Sequence, residues 1–154
     1  MNAPLIGARV TRKEDYRFLT GAGQYTDDVQ MPNQAYAAFV RSPHAHARIK
    51  SIKLEKAKKA PGVLGVFTGQ DLAGAKVGGL PCGWLITDVK GQPMKEPPYP
   101  SPAVGKVRHA GERVAVVIAE TLAQARDAAE KVEADYEVLP AVVDPRKAAS
   151  SKGI

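Results

Sequence analysis

A strand that cannot continue constrains this chain most. Residues 36–49 read Tyr-Ala-Ala-Phe-Val-Arg-Ser-Pro-His-Ala-His-Ala-Arg-Ile. Ala37, Phe39 and Arg41 point one way along an extended strand, and Tyr36, Ala38 and Val40 the other. Both faces are mostly apolar, which predicts a strand inside a sheet. Pro43 cannot donate to a ladder, so the chain must turn at Ser42-Pro43. From Ala47 the apolar phase shifts: Ala47 and Ile49 share one face, Ile52 and Leu54 the other. One regular strand cannot do this, so a bulge or a change of sheet is expected.

The chain beyond Leu54 is punctuated in the same way. Residues 55–60 suit a short helix stopped by Pro61-Gly62. Val63–Thr68 is a third strand, and Thr68 caps a helical turn through Asp71 and Leu72. Arg113-Val-Ala-Val-Val-Ile-Ala119 is a continuous apolar run bounded by charge, hence a central strand. Thr121 and Gln124 fit a capping box, and Leu122, Ala125, Ala129 and Val132 give the next helix an apolar stripe. Ala134, Tyr136 and Val138 alternate with Asp135 and Glu137, a half-exposed strand ending at Pro140. Strands joined by corners predict an α+β fold, a mixed sheet with one helix packed on it.

Two stretches differ in kind. Residues 1–20 read as an N-terminal arm with a mixed-charge patch, anchored by Phe18 and Leu19. Residues 73–106 hold twelve Gly or Pro, half of all the prolines. A segment of this kind is functional or disordered, and Trp84, Leu85, Ile86 and Tyr99 argue for order through burial on the domain or on a partner. The domain proper is expected over 21–145, and residues 146–154 read as a linker or a truncation tail.

A chain of 154 residues suffices for one domain with a sizeable core. It has no apolar run long enough to span a membrane, and its first residues do not resemble a signal peptide, so a cytoplasmic protein is expected. The net charge is +6. Residues 45–60 account for +5 of it, through Arg48, Lys50, Lys53, Lys56, Lys58 and Lys59 against Glu55. No aromatic interleaves these lysines and they follow no nucleic-acid module, so a solvated face is expected there.

No constellation announces chemistry. His44 and His46, two apart, would share a strand face and could ligate a metal if His109 or a carboxylate joined them; corner histidines in hydrogen bonds are the plainer reading. Cys82 is the only cysteine and lacks an electropositive neighbourhood. Gly21-Ala-Gly23 is followed by no phosphate-loop lysine. Asp27-Asp28 and Gly111-Glu112 read as turns. No Ser/His/Asp set is recognisable. The expected catalytic, cofactor-binding and metal residues are therefore none.

Residues 12–28, Arg-Lys-Glu-Asp-Tyr-Arg-Phe-Leu-Thr-Gly-Ala-Gly-Gln-Tyr-Thr-Asp-Asp, resemble the opening of molybdenum hydroxylase large subunits, the xanthine dehydrogenase, aldehyde oxidase and aerobic carbon monoxide dehydrogenase family. Residues 37–48, Pro61-Gly-Val, Thr68-Gly-Gln-Asp-Leu72, residues 107–120 and residues 132–144 resemble its succeeding segments in order. Gly79-Leu-Pro-Cys-Gly-Trp84 and Gly91-Gln-Pro-Met94 look most like the carbon monoxide dehydrogenase branch. Arg113 stands where relatives often have proline, and His109-Ala110 where an aromatic and valine are usual. The resemblance implies an α/β-hammerhead domain. It implies membership of an oxidoreductase whose molybdopterin (as its cytosine dinucleotide), [2Fe–2S] clusters and FAD carry the chemistry. It also implies iron–sulfur and flavin subunits as partners. Molybdopterin contacts and the catalytic glutamate lie in family segments beyond this chain, so a structural and assembly domain, inactive alone, is expected. The alternative is a free-standing, non-redox binding module of the same fold.

Overall fold

A computed structural model describes residues 6–150. The parts of the expected arm and tail at residues 1–5 and 151–154 lie outside the described residues. The chain forms two compact units, one through Gln34 and one from Ala35.

In the first unit, helix α1 spans Asp15–Leu19. Arg12 pairs with Asp15 at 3.0 Å across its first turn. Phe18 stacks on Tyr25, ring centroids 5.3 Å apart, so its apolar surface is met inside the unit. Leu19, expected to anchor beside it, is 87% exposed. A 3₁₀ turn follows at Thr26–Asp28, closed by the Tyr25 N–H donating to Asp28 Oδ2 at 2.8 Å.

The second unit holds six strands in two antiparallel sheets. In chain order they are β1 (Tyr36–Arg41), β2 (Ala47–Lys53), β3 (Val63–Thr68), β4 (Lys106–Val107), β5 (Arg113–Ala119) and β6 (Glu133–Val138). One sheet has the order β1-β5-β3, the other β4-β2-β6. Every pairing between these strands is antiparallel, so the expected mixed sheet is in fact two. The Ser42–Pro43 corner carries the chain from the first sheet to the second, which answers the change of phase after Ala47. The expected bulge is present too: the β2–β6 register slips between Ile49 and Ser51.

β5 is the central strand that its apolar run predicts. β1 is not inside a sheet but at an edge, and its Ala37 and Phe39 side chains are exposed. Its apolar outer face marks a surface that the described residues leave open, which sequence alone could not separate from an internal one.

Four helices complete the unit: α2 (Glu55–Lys58), α3 (Gly69–Gly74), α4 (Leu122–Ala129) and α5 (Pro145–Ser150). α3 starts with a capping box, in which the Thr68 N–H and hydroxyl both donate to Asp71 Oδ2, at 2.7 and 2.6 Å. α4 starts with the predicted Thr121–Gln124 box; the Gln124 N–H donates to Thr121 Oγ1 at 3.2 Å. Its buried residues are Ala125 and Ala128, while Leu122 faces outward. Ala125, Ala129 and Val132 of the expected stripe thus meet the core, joined by Ala128, and Leu122 alone of that stripe stands outside it. α5 lies in the Lys/Ala/Ser-rich tail expected to serve as a linker. Its start signal is Asp144, whose Oδ1 accepts the Arg146 N–H at 2.9 Å, ahead of a proline suited to the first helical position.

The core is built from small side chains in two clusters. Leu54, Ala57, Val66, Val117 and Ala128 form one; Ala47, Ala103, Val107 and Val114 form the other. Ile52 packs against both. Each buried valine contributes about 1.5–3 kcal/mol. Two glycines are needed for this packing. Gly62 has φ +72°, and a Cβ there would overlap the Gln124 side chain. A Cβ on Gly69 would overlap the carbonyl oxygens of Pro102 and Ala103.

Candidate interaction surfaces

The Ser42 corner is tied to the turn before β5. The Ser42 N–H donates to the Glu112 carbonyl at 2.9 Å, and the Gly111 N–H donates to the Ser42 carbonyl at 2.8 Å. Arg41 Nη1 adds a bond to the Gly111 carbonyl at 2.9 Å. Ser42 Oγ accepts the His44 N–H at 3.0 Å. Glu112, part of a plain turn on sequence alone, is only 3% exposed. Its Oε2 accepts the Arg108 N–H and lies 3.7 Å from His109 Nδ1. Its Oε1 is buried with no hydrogen-bond partner among the described residues. The available signal was a glutamate separated by Arg113 alone from the apolar run Val114–Ala119.

The histidines lie on the corner, not on a strand, so strand alternation does not bring them together as ligands. The His44 ring meets Tyr136 edge-on at 5.2 Å. His46 Nδ1 lies 2.6 Å from the Pro140 carbonyl, an acceptor only, so that nitrogen carries the proton. Burial raises the ionisation of the Tyr136 phenol above its ordinary range, against a smaller lowering by its hydrogen bond with Ser42. The Cys82 thiol donates to the Trp84 carbonyl at 3.3 Å. Asp28 is spent on its own turn.

A metal centre or iron–sulfur cluster needs converging thiolate, imidazole or carboxylate donors. Among the described residues no three His, Cys, Asp or Glu side chains converge in that way.

Three surfaces remain. The first is the open face of the β1-β5-β3 sheet. Phe39, Val116 and Phe67 oppose one another in one row across its three strands, so they point to one side. Phe39 stays 45% exposed, with the Arg113 guanidinium 5.1 Å from its ring centroid.

The second surface is the Gly/Pro-rich excursion. The Leu80 N–H donates to the Tyr99 carbonyl at 2.9 Å and closes its neck. Beyond the neck a bridge pairs Thr87 with Pro93. Trp84 is 80% exposed, and Leu85, Ile86 and Val89 are exposed as well. Those side chains are not buried on the domain, one of the two expected settings. Pro102 and Ala103, by contrast, are buried, so the excursion proper is shorter than composition suggested.

The third surface is a cleft of about 580 Å³ between the corner, the β4–β5 turn and the segment after β6. His46, Lys106, Arg108 and His109 line it together with Ala45, Ala110 and residues 141–143. A smaller cleft of about 290 Å³ lies beside β2 and α3. Its Asp71 is committed to the α3 cap, and the Thr68 hydroxyl and N–H hold that carboxyl below its ordinary range. In the basic window, Lys53 and Lys56 both reach Glu133. The hydrogen bond and charge of Glu133 raise Lys56, and those of Lys56 lower Glu133.

Residues 20–140 match the model of the aldehyde oxidase and xanthine dehydrogenase a/b hammerhead domain. The chain belongs to this hammerhead family. It is 44% identical over 143 residues to the carbon monoxide dehydrogenase large chain of Afipia carboxidovorans, covering 93% of this chain and 16% of that one. It is 39% identical to the nicotine 6-hydroxylase large subunit of Paenarthrobacter nicotinovorans, covering 93% and 17%. The reconstituted CO dehydrogenase from Oligotropha carboxidovorans superposes with a TM-score of 0.73 at 41% identity, covering 96% of the hammerhead chain and 17% of the other. The hammerhead chain thus spans about a sixth of the length of these relatives. Among the described residues no helix is long and apolar enough to cross a membrane.

Proposed function

We propose that this hammerhead chain is the structural and assembly domain of the large subunit of a cytoplasmic, molybdenum-dependent oxidoreductase, most similar to the carbon monoxide dehydrogenase branch. Residues 1–20 act as an arm, 21–145 as the hammerhead, and 146–154 as a connecting tail. Molybdopterin, as its cytosine dinucleotide, with [2Fe–2S] clusters and FAD, belongs to the rest of the complex and supplies the redox chemistry there. This chain makes no catalytic contact. It presents surfaces to the molybdopterin-binding part of the large subunit and to the iron–sulfur and flavin subunits.

The observation that carries this reading is the exposure of Trp84 and its apolar neighbours on a closed, bridged excursion. Exposed apolar clusters of this kind mark interaction sites, and aromatic anchors dominate binding energy at interfaces. The test is the native mass and molybdenum content of the protein purified from its own source. Recovery in a molybdenum-containing assembly several times heavier than 16.4 kDa is the expected result, with no turnover by the 154-residue chain alone. A free chain with neither metal nor partner would replace this reading by that of a binding module. Stoichiometric molybdenum on the isolated chain would overturn the non-catalytic assignment.

A further inference from the structure

Lys106 and Arg108 flank the fully buried Val107, so strand alternation sends both of their side chains away from the core. They line the 580 Å³ cleft with His46 and His109, and no carboxylate lines it. Among the described residues neither Lys106 nor Arg108 forms an ion pair. Lys53 and Lys56, in contrast, share the carboxylate of Glu133. The basic loop is also fixed in place: the buried Glu112 carboxylate accepts the Arg108 backbone N–H. The Pro140 carbonyl occupies His46 Nδ1 and leaves Nε2 for another partner.

We propose that this cleft binds an acidic segment of a partner polypeptide, one in which carboxylates alternate with small apolar side chains. The lining has both chemistries. Its cations match carboxylates, and Ala45, Ala110 and residues 141–143 match small aliphatic groups. A bare phosphate would use only the first set. A nucleotide would have only imidazole and guanidinium planes to stack on, since no Phe, Tyr or Trp lines the cleft, and would leave the aliphatic lining unmatched. The inference rests on the assembly reading only in making the ligand a protein.

The test is a titration of the 154-residue chain, followed by 15N NMR, with a blocked hexapeptide alternating Glu or Asp with Val or Ala. Parallel titrations use the same peptide with Lys in place of the acids, inorganic phosphate, and AMP. The acidic peptide is expected to shift resonances of residues 45–46, 106–110 and 141–143 saturably. Its affinity should fall about tenfold or more in 0.5 M salt. The double substitution Lys106→Glu with Arg108→Glu should weaken it by at least about tenfold. Arg108→Gln, which only deletes a charge, should give a smaller loss with an unchanged spectrum elsewhere. Equal binding of the lysine peptide, an affinity unmoved by the charge reversal, or no binding at all would overturn the proposal. So would phosphate or AMP saturating the same resonances as tightly, which would make this a small-anion site. None of these outcomes touches assembly through the excursion, which is read separately from the native complex.

Discussion

Glu112 is a buried carboxylate whose Oε2 accepts the Arg108 N–H, four residues away, while its backbone carbonyl accepts the Ser42 N–H. Removing its acceptor strands the Arg108 N–H. Glu112→Ala should therefore cost about 1–3 kcal/mol in urea unfolding. Glu112→Gln keeps an acceptor oxygen and sheds a desolvated charge, so its loss should be smaller; equal losses would show that the acceptor is not what matters. Gly69 and Gly74 both lie in α3 and should respond with opposite signs. A Cβ at Gly69 meets two backbone carbonyls, whereas at Gly74 it meets nothing within 4 Å. Gly69→Ala should lower the melting temperature. Gly74→Ala should raise stability by up to about 1 kcal/mol. Asp71 gives a pH test. Its folded-state pKa is lowered, so it contributes stability above its unfolded value of about 3.9, and that contribution is lost as pH falls through the folded value. Asp71→Asn should cost about 0.5–1 kcal/mol at neutral pH, with the gap to the parent chain closing below about pH 4. The Asp71 box was legible because a cap is local. The burial of Glu112 was not: the Ser42 corner, bonded to its backbone carbonyl, lies seventy residues away in the sequence.

Among the elements, periodicity placed β2, β3, β5 and β6 well, because each has a face whose chemistry its own core answers. The phase shift in β2 even marked the bulge after Ile49. The errors fall where a face is answered elsewhere or not at all. β1 reads as internal from composition and is an edge. Leu122 reads as core, but α4 meets the core through Ala125, Ala128 and Ala129 and leaves Leu122 exposed. For residues 73–106 the Gly and Pro content revealed an excursion but not its neck, which is a hydrogen bond between Leu80 and Tyr99. Excising residues 81–98 and bridging the neck with two glycines should leave the thermal midpoint within a few degrees, because the segment removed contributes no core residue. The same excision should sharply reduce recovery of this chain in a native complex. An unchanged yield of complex would remove the excursion from the assembly role.

For the molecule as a whole, the family resemblance was legible because several short segments recur in order, and the match over residues 20–140 bears it out. The surfaces were less legible, because a sequence records that a residue is apolar but not which molecule covers it. β1 has the sharpest consequence. It lies at a sheet edge, presents Ala37 and Phe39, and has neither a lysine nor a proline of the kind that keeps edges from pairing. Time then matters as much as energy. Once made, the chain carries a strand edge guarded at one end by Arg41 and the break in register after Val40, and elsewhere suited to pairing. Its working lifetime is set by the interval between synthesis and coverage, and dilution lengthens that interval safely while crowding with copies of itself does not.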